Sequence, residues 1–490
     1  MSRAPRSRFT QSTTSAPERA IVLRDLVLGS VCLAASAAAF AQGAREGEFD
    51  TVVERYVAEG LRSNLSLQTE TLEVERAAQA LAEARARFFP EVSLQARYTR
   101  AEGGREFSIP IGTALNPVYS TLNDLLAAQG QPAQFPRISD VTVQFLREEE
   151  QDTRVVVRQP LYAPAIPAAV RAQRSLLDAS SFNRMAVARA LRRDITIAYV
   201  DWLKARSSVE IVAASRELLR ENLRVNESLF SNGKITEDQV LRAKAELLEV
   251  DQQQRETENL ASQARSFFNF LLNRELLSEI DVSAPPQSPT REEGALEQLW
   301  SAALNRRPEV ARVDELRKAS EEQVRVARKQ KWPTLSFGLD AGTQGVDYRF
   351  GDGYNFGTAS LVFTWRLFDG GGDEARVRQA RAAERQVVLR QEEVAQQIRL
   401  EVQQAFDRLA TARDSLATAA ARADAARAAF RIASRKRDEG VISQVEFIDA
   451  RSALTGAELN HSVTRFNVLA RRAELEYATS TGDLPLDPGA

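Results

Sequence analysis

The chain has 490 residues, with 65 lysines and arginines against 67 aspartates and glutamates, and a formal net charge of −2. This balance provides neither a basic surface for nucleic acid nor an acidic tail. One cysteine and one histidine exclude an intrachain disulfide and a Cys/His metal site, so the sequence predicts no metal and no cofactor. His461 lies in a helical pattern without a nucleophile motif, and we interpret it as a partly exposed helix residue of a protein that is not an enzyme.

The first 41 residues have the pattern of a signal peptide. Basic residues precede an apolar run at 26–40, and Ala39 and Ala41 form an A-x-A cleavage site before Gln42. Cys32 lies inside the apolar run behind Val31, which disfavours a lipoprotein. No later window contains 18 uncharged apolar residues, so we expect an exported protein that could cross a membrane only with strands.

Two stretches of the chain share one pattern, FSNGKITEDQVLRAKAEL at 230–247 and RDEGVISQVEFIDARSAL at 437–454. Gly233 and Gly440 are 207 residues apart (440 − 233), whereas Pro90 and Pro333 match upstream at 243 (333 − 90). The first copy therefore carries about 37 extra residues, and the chain is an internal duplication. We divide it into repeat 1 at 42–279, a Pro-rich linker at 280–294, repeat 2 at 295–482 and a tail at 483–490.

Each repeat contains one very long helical stretch. Residues 165–229 and 373–439 contain no glycine, and no proline follows Pro167. At 1.5 Å per residue, each stretch would span roughly 95–100 Å. Alanine covers two faces of residues 416–430, which favours a helix with helical neighbours on both sides.

Four stretches alternate apolar and polar side chains, at about 91–100, 153–162, 334–343 and 356–368. Strands with one apolar face suit an outer membrane barrel, and the alternative is a half-buried strand in a soluble sheet. Four strands cannot close a barrel, because closure needs about eight or more. The barrel hypothesis therefore requires strands from other subunits, and a trimer is the smallest oligomer that leaves room for a channel.

The connections between paired strands differ in length. Residues 101–152 make a long loop in repeat 1, whereas the connection at 348–355 in repeat 2 is tight. Because long loops of outer membrane barrels face the exterior, we expect 101–152 outside the cell. The helices and both glycine turns would then lie in the periplasm.

Several short motifs and their order carry a family resemblance: the repeated G-x-I-[ST] turn, QPLY at 159–162 with RLFDGGG at 366–372, and NRRPEV at 305–310. With them the chain resembles the TolC-like outer membrane factor family over nearly all of the mature sequence. The resemblance implies a mainly α fold with membrane β structure. Long antiparallel helices would form an α-helical barrel, and four strands per chain would contribute to a trimeric twelve-stranded transmembrane β-barrel.

The resemblance also implies a function. The homotrimer would sit in outer membrane lipid, extend through the periplasm, and serve as the passive exit duct of a tripartite efflux or type I secretion system. A periplasmic adaptor protein and an inner-membrane RND or ABC transporter would supply substrate and energy. The class of cargo stays open among drugs, metals and proteins.

In this family the two glycine turns form the periplasmic tip that meets the adaptor. The residues that correspond here are Gly233, Ile235, Thr236, Gly440, Ile442 and Ser443. We expect a positive φ at both glycines, each ending its incoming helix. Thr236 and Ser443 are placed to cap the outgoing helices, although a helix hairpin that serves only folding would use the same residues.

The family narrows its tunnel with acidic residues just past the second turn, and Glu446 and Asp449 match those positions. They are three residues apart, so they share a helix face, and a trimer would place six carboxylates around the aperture. The alternative is an ordinary solvated helix face. Ile442 and Gln239 replace the Arg and Asp that hold the best-known member shut, which leaves Asp238, Arg437 and Asp438 as candidates for such links.

A second class of protein also has long helices rich in Ala, Glu and Arg. An exported coiled-coil scaffold of the cell envelope, without a transport function, would contain such helices. It would not require four alternating strands or the two strand-to-helix junctions.

Overall fold

The computed structural model describes residues 48–284, 286, 294–482 and 484. The predicted signal peptide at 1–41, most of the linker and nearly all of the C-terminal tail lie outside the described residues. Within those that are described, no helix is both long enough and apolar enough to cross a bilayer.

Each repeat contains two helices, two strands of one sheet and two long helices in the predicted order, and repeat 1 has further elements between its two sheet strands. The helices are α1 (48–63), α2 (Leu65–Ala86), α3 (Ile111–Ala128), α4 (Ala165–Ser231), α5 (Glu237–Leu271), α6 (Leu296–Arg306), α7 (Pro308–Lys329), α8 (Gly372–Asp438) and α9 (Gln444–Thr479). The strands are β1 (Glu91–Arg100), β2 (Glu106–Ile109), β3 (Val141–Gln144), β4 (Glu149–Tyr162), β5 (Thr334–Gly345) and β6 (Asn355–Thr364).

The two repeats have matching elements. α4 and α8 each contain 67 residues, and their first residues, Ala165 and Gly372, are 207 apart (372 − 165). α2 and α7 end at Ala86 and Lys329, which are 243 apart (329 − 86). Both offsets are those of the sequence motifs, so the internal duplication is confirmed.

The extra residues of repeat 1 are folded, and the expectation of one long loop at 101–152 was wrong. They form β2, α3 and β3, with β2 and β3 paired as an antiparallel ribbon. The strand β4 also begins at Glu149, four residues before its predicted start, while β6 ends at Thr364, four residues before its predicted end. Beyond Thr364 the alternation of side chains continues in sequence, but no strand among the described residues pairs with it.

The chain folds into two compact units, one comprising residues up to Val74, Ser180–Val313 and Arg390 onward, the other Glu75–Ala179 and Asp314–Leu389. The first unit is helical and is built around two apolar clusters. One contains the buried rings of Tyr56, Tyr199 and Phe268, with Tyr56 edge-on to Phe268 at 5.0 Å between centroids. The other packs α6, α8 and α9 together through residues such as Val402, Leu409 and Val468.

The aromatic cluster also fixes the first residues of the predicted linker. The Tyr199 hydroxyl donates to the Asp281 carbonyl at 2.9 Å. The Asp281 N–H donates to the Tyr56 hydroxyl at 2.8 Å. Burial raises the pKa of Tyr199, so its hydroxyl stays a neutral donor.

The second unit contains a four-stranded antiparallel sheet in the order β1-β4-β5-β6. Its register aligns the apolar residues of all four strands in rows, one of which contains Val92, Val157, Leu339 and Ala359. Neighbouring residues along each strand point to the other face and are mostly polar. Because β1 and β6 each pair on one side only among the described residues, both edges of the sheet are open.

Candidate functional site

The two glycine turns have the same backbone geometry. Gly233 has φ +66° and Gly440 has φ +70°, as predicted for residues that end a helix in the left-handed region. In the first turn the Gly233 N–H bonds the Phe230 carbonyl and the Lys234 N–H bonds the Leu229 carbonyl, both at 2.9 Å. The second turn repeats both bonds at 2.8 Å, from Gly440 and the residue after it. This is the Schellman pattern, which satisfies the last carbonyls of α4 and α8.

The predicted caps of the outgoing helices differ. The Ser443 hydroxyl accepts the Glu446 N–H at 3.3 Å, and the Glu446 carboxylate accepts the Ser443 N–H at 3.1 Å, which completes a capping box. Thr236 occupies the same position of α5, but its side chain makes no cap bond and donates instead to the Asp238 carboxylate. The prediction of a cap is therefore confirmed for Ser443 and wrong for the Thr236 side chain.

Apolar side chains are exposed around both turns. Ile235 and Ile442, the predicted contact residues, are half-buried, while the glycines and both cap residues are exposed. Other exposed apolar residues stand near the turns in the sequence: Leu229, Phe230, Leu241, Val441 and Val445. Val441 is 68% exposed, although it stands at the turn itself. The turns thus offer small apolar surfaces on polar helices.

The two acidic residues predicted at the aperture are both exposed on α9. Asp449 borders a groove of about 600 Å³ between α4, α5 and α9, opposite Glu246 and Glu249 of α5. Partial burial, with the charges of Glu249 and Asp449, raises the pKa of Glu246. The same groove is lined by Arg451, which is buried beside the Phe430 ring at 5.4 Å. The carboxylates therefore form a wider acidic surface than the sequence pattern alone indicated.

The three candidates for closing links have different environments. The Arg437 guanidinium donates to the Asn222 side chain at 3.0 Å and lies over the Phe447 ring at 4.1 Å, so it connects α8 with α4 and α9. Asp238 is bound by Thr236 within its own turn. Asp438 is exposed at the end of α8.

Sequence reasoning missed the packing of NRRPEV, although it singled the motif out. Arg307 is buried, with 5% of its surface exposed, and it bonds Glu309 at 2.7 Å and Glu401 of α8 at 2.5 Å. Its guanidinium also lies 5.2 Å from the ring centroid of Tyr477 on α9. Burial alone would raise the pKa of Glu309, but the hydrogen bond and charge of Arg307 hold it below its usual value. The motif thus fastens the α6–α7 junction to two long helices.

His461 lies in α9 with partial exposure, as the sequence predicted. It lines a cavity together with Arg427, Glu458, Ser462 and Arg465. Over the described residues, no three His, Cys, Asp or Glu side chains are grouped to hold a metal ion.

The sheet exposes its apolar face. The side chains that stand out from it include Val92, Leu94, Tyr98, Val155, Leu361 and Phe363. Leu94 is 72% exposed and Leu361 is 69% exposed. The opposite face carries polar groups, among them Asp152 between Arg97 and Arg154 at 3.7 and 3.6 Å. A sheet of this kind is polar on one side and apolar on the side that remains uncovered in a single chain.

Exposed aromatic residues flank the sheet at both ends of its strands. At one end they are Phe88, Phe89, Tyr162, Trp332, Trp365 and Phe368. At the other end they are Tyr98, Tyr348 and Phe350. The hydrogen bond from the Gln159 amide to the Phe88 carbonyl, 2.9 Å, ties the first group to neighbouring strands. Aromatic residues in two bands are typical of proteins whose strands end at the two interfaces of a membrane.

The chain is similar in sequence to known outer membrane proteins. Residues 299–481 match the model of the outer membrane efflux protein family. This part of the chain is similar to an outer membrane efflux protein domain. A curated relative, protein CyaE of Bordetella pertussis, is 29% identical over 176 residues, which are 36% of this chain and 37% of that protein. The match therefore spans little more than a third of the relative's length.

Solved structures of outer membrane proteins, among them two channels, have the same fold. The CmeC channel of Campylobacter jejuni superposes with a TM-score of 0.72 at 17% identity, covering 90% of this chain and 88% of CmeC. VceC of Vibrio cholerae gives 0.69 at 17%, covering 88% and 96%. The open state of the Neisseria gonorrhoeae MtrE channel gives 0.68 at 16%, covering 87% and 88%. The TolC-like channel fold expected from the sequence is thus confirmed.

Proposed function

We propose that three copies of this chain form an outer membrane channel that serves as the passive exit duct of a tripartite efflux or type I secretion system. The observation that carries this proposal is the four-stranded sheet with one exposed apolar face, two open edges and aromatic residues at both ends. In each repeat the two sheet strands are followed by a helix of 67 residues. These two helices are long enough to form a periplasmic extension.

The exposed face supports insertion in the outer membrane. Side chains such as Leu94, Leu361 and Phe363 are more than half exposed in the single chain, and burying them in lipid removes that apolar surface from water. The strands have 10 to 14 residues, which fits the span of tilted barrel strands.

The open edges support an oligomer. In lipid, an unpaired edge leaves backbone N–H and C=O groups without partners, at a cost of several kcal/mol for each group. β1 and β6 are the edge strands, so β6 of one copy would pair with β1 of the next. Three copies then supply twelve strands, which is enough for a water-filled bore.

The turns and their neighbours support a periplasmic contact. Six glycine turns in a trimer would present exposed apolar groups such as Phe230 and Val441 to a periplasmic adaptor. An inner-membrane RND or ABC transporter would supply energy and substrate through that adaptor. Glu446 and Asp449 would line the aperture and favour cations over anions.

The experiment that tests the proposal starts from the full chain expressed with its leader and extracted in detergent. We expect a trimer that resists SDS until heated, crosslinks as a trimer in membranes, and conducts in planar bilayers. Crosslinking that traps only monomers would overturn the proposal. A rod that stays soluble without detergent would favour the envelope scaffold instead.

A further inference from the structure

Helix α3, within the insertion of repeat 1, carries an apolar stripe that the rest of the described chain leaves exposed. Its members are Ile111, Leu115, Val118, Leu122 and Leu125, which are 37% to 58% exposed. They are spaced by four, three, four and three residues. This is the heptad spacing of helices that pack against other helices, with one narrow seam rather than a broad face.

The adjacent face of α3 is fixed to its own chain. The Asn116 amide donates to the Ile138 carbonyl at 2.8 Å and accepts the Ile138 N–H at 2.9 Å. Asn123, two turns later, does the same with Phe135, at 2.8 and 3.1 Å. Tyr119 between them contacts the Phe135 ring at 5.3 Å. These bonds hold the helix so that it cannot rotate its stripe onto the insertion.

The start of the helix is held in the same way. The Asp140 carboxylate accepts the Thr113 hydroxyl at 2.7 Å and the Thr113 N–H at 2.9 Å. Gly112 lies so close to the chain that a Cβ there would come within 2.1 Å of the Ile138 carbonyl oxygen. The hydrogen bonds between α3 and residues 135–140 therefore hold the helix with its apolar stripe facing outward.

The composition of the helix argues for a helix as its partner and against lipid. Asp124 is the one charged residue of α3, so close approach of a like helix meets little repulsion. A helix immersed in lipid would be apolar on all sides, whereas the polar residues Thr121, Asp124 and, opposite the stripe, Ser120 are exposed on α3. The insertion also continues directly from β1, the edge strand that would meet the neighbouring copy in the proposed trimer.

We propose that the α3 helices of three copies pack stripe to stripe on the threefold axis and form a helical cap over the outer mouth of the channel. A single stripe on each helix fits contact at one shared axis, because a ring of pairwise contacts would require two stripes on each helix. This inference rests on the proposed trimer. It adds a gate on the exterior side, where a dry apolar constriction would restrict the passage of ions until the helices separate.

Disulfide trapping tests the cap, since the described residues contain no cysteine. Leu122→Cys lies in the stripe, and Ser120→Cys, on the opposite side of the same helix, is the matched control. We expect mild oxidation of the membrane-embedded trimer to crosslink Leu122→Cys between copies but not Ser120→Cys. The oxidised channel should conduct severalfold less in planar bilayers, and a reductant should restore the current.

The outcomes separate the cap from the channel proposal. A heat-modifiable, conducting trimer in which neither Leu122→Cys nor Val118→Cys crosslinks would overturn the cap and leave the channel intact. A protein without any trimer would overturn both. Crosslinking with no change in current would show that the helices meet but do not gate, which contradicts the proposed constriction. Labelling of Leu122→Cys by a lipid-soluble maleimide without crosslinking would identify lipid as the partner.

Discussion

At the residue scale, Arg307 joins the α6–α7 junction to α8 through its ion pair with Glu401. Because its buried guanidinium is the partner of both Glu309 and Glu401, replacing it with alanine leaves two carboxylates without their cation. We expect Arg307→Ala to lower the free energy of unfolding by about 3–5 kcal/mol in a denaturant titration of the solubilised protein. Arg306→Ala, at the exposed neighbouring position, is the control and should change it by less than about 0.5 kcal/mol. Equal effects of the two changes would contradict the role of Arg307.

The two cap residues give a second prediction at this scale. Ser443→Ala removes a bond to the backbone of the first turn of α9 and should cost about 1 kcal/mol of local stability. Thr236→Ala removes no such bond and should cost less. Amide hydrogen exchange of 444–447 and 237–240 measures each helix start separately. Faster exchange at α5 in Thr236→Ala, equal to that at α9 in Ser443→Ala, would show that both residues cap.

The difference between these caps marks the limit of residue-level prediction. Sequence spacing put Thr236 and Ser443 at equivalent positions, which the helix bounds support. Both turns have a residue three positions later that could complete a capping box, Gln239 and Glu446, but only the box of Ser443 with Glu446 forms. Asn273 and Ser480 also have positive φ at the ends of α5 and α9. Asparagine is one of the residues that favours this conformation, whereas serine gives no such signal.

At the element scale, the helix hairpins are predicted to dock an adaptor through their turns. A Cβ at Gly233 or Gly440 would meet no atom within 4 Å, so a bulky residue there projects outward, at a backbone cost of about 1–2 kcal/mol. We expect Gly233→Trp with Gly440→Trp to abolish adaptor co-purification and efflux while the trimer persists.

Gly130→Trp is the matched control for the turns. Gly130 ends α3 with φ +72° and has equally open space, so it carries the same strain away from the tip. It should leave adaptor binding unchanged. Normal efflux and co-purification in the double variant would mean that the adaptor binds elsewhere.

The acidic pair gives a prediction about ion selectivity. Glu446→Gln with Asp449→Asn removes up to six charges from the aperture of a trimer, and glutamine can still complete the capping box with Ser443. We expect the ratio of cation to anion permeability in single-channel recordings to fall. Asp414→Asn, an exposed residue farther along α8, should leave it unchanged. Unaltered selectivity in the double variant would assign Glu446 to capping alone.

Prediction of the elements succeeded where one period dominates. Alternation along β1 and β5 placed their first residues, and the long breaker-free stretches placed α4 and α8. Prediction failed at 101–152 because Pro117 and several glycines interrupt the helical periodicity there. The helix α3 and its apolar stripe were therefore not recognised. It also extended β6 past Thr364, since alternation in sequence cannot show where a pairing partner ends.

At the scale of the whole molecule, the outward face of the sheet decides insertion in the membrane. Leu361→Arg puts a charge on the apolar face and should cost about 2–4 kcal/mol of insertion free energy near the bilayer midplane. Ser360→Arg places the same charge on the polar face and should be tolerated. The amount of heat-modifiable trimer in purified outer membranes measures both. Equal trimer from the two variants would show that the face around Leu361 does not meet lipid.

The sequence by itself determined the duplication, the long helices, the strands with one apolar side and the two glycine turns, because each is a local periodicity or a backbone requirement of one residue type. Only the tertiary structure decided the register that brings Val92, Val157, Leu339 and Ala359 into one row. The same holds for the burial of Arg307 and the stripe left exposed on α3. The register, the burial of Arg307 and the exposure of the stripe depend on which distant segments of the chain contact each other. Such contacts produce no periodic pattern in the sequence.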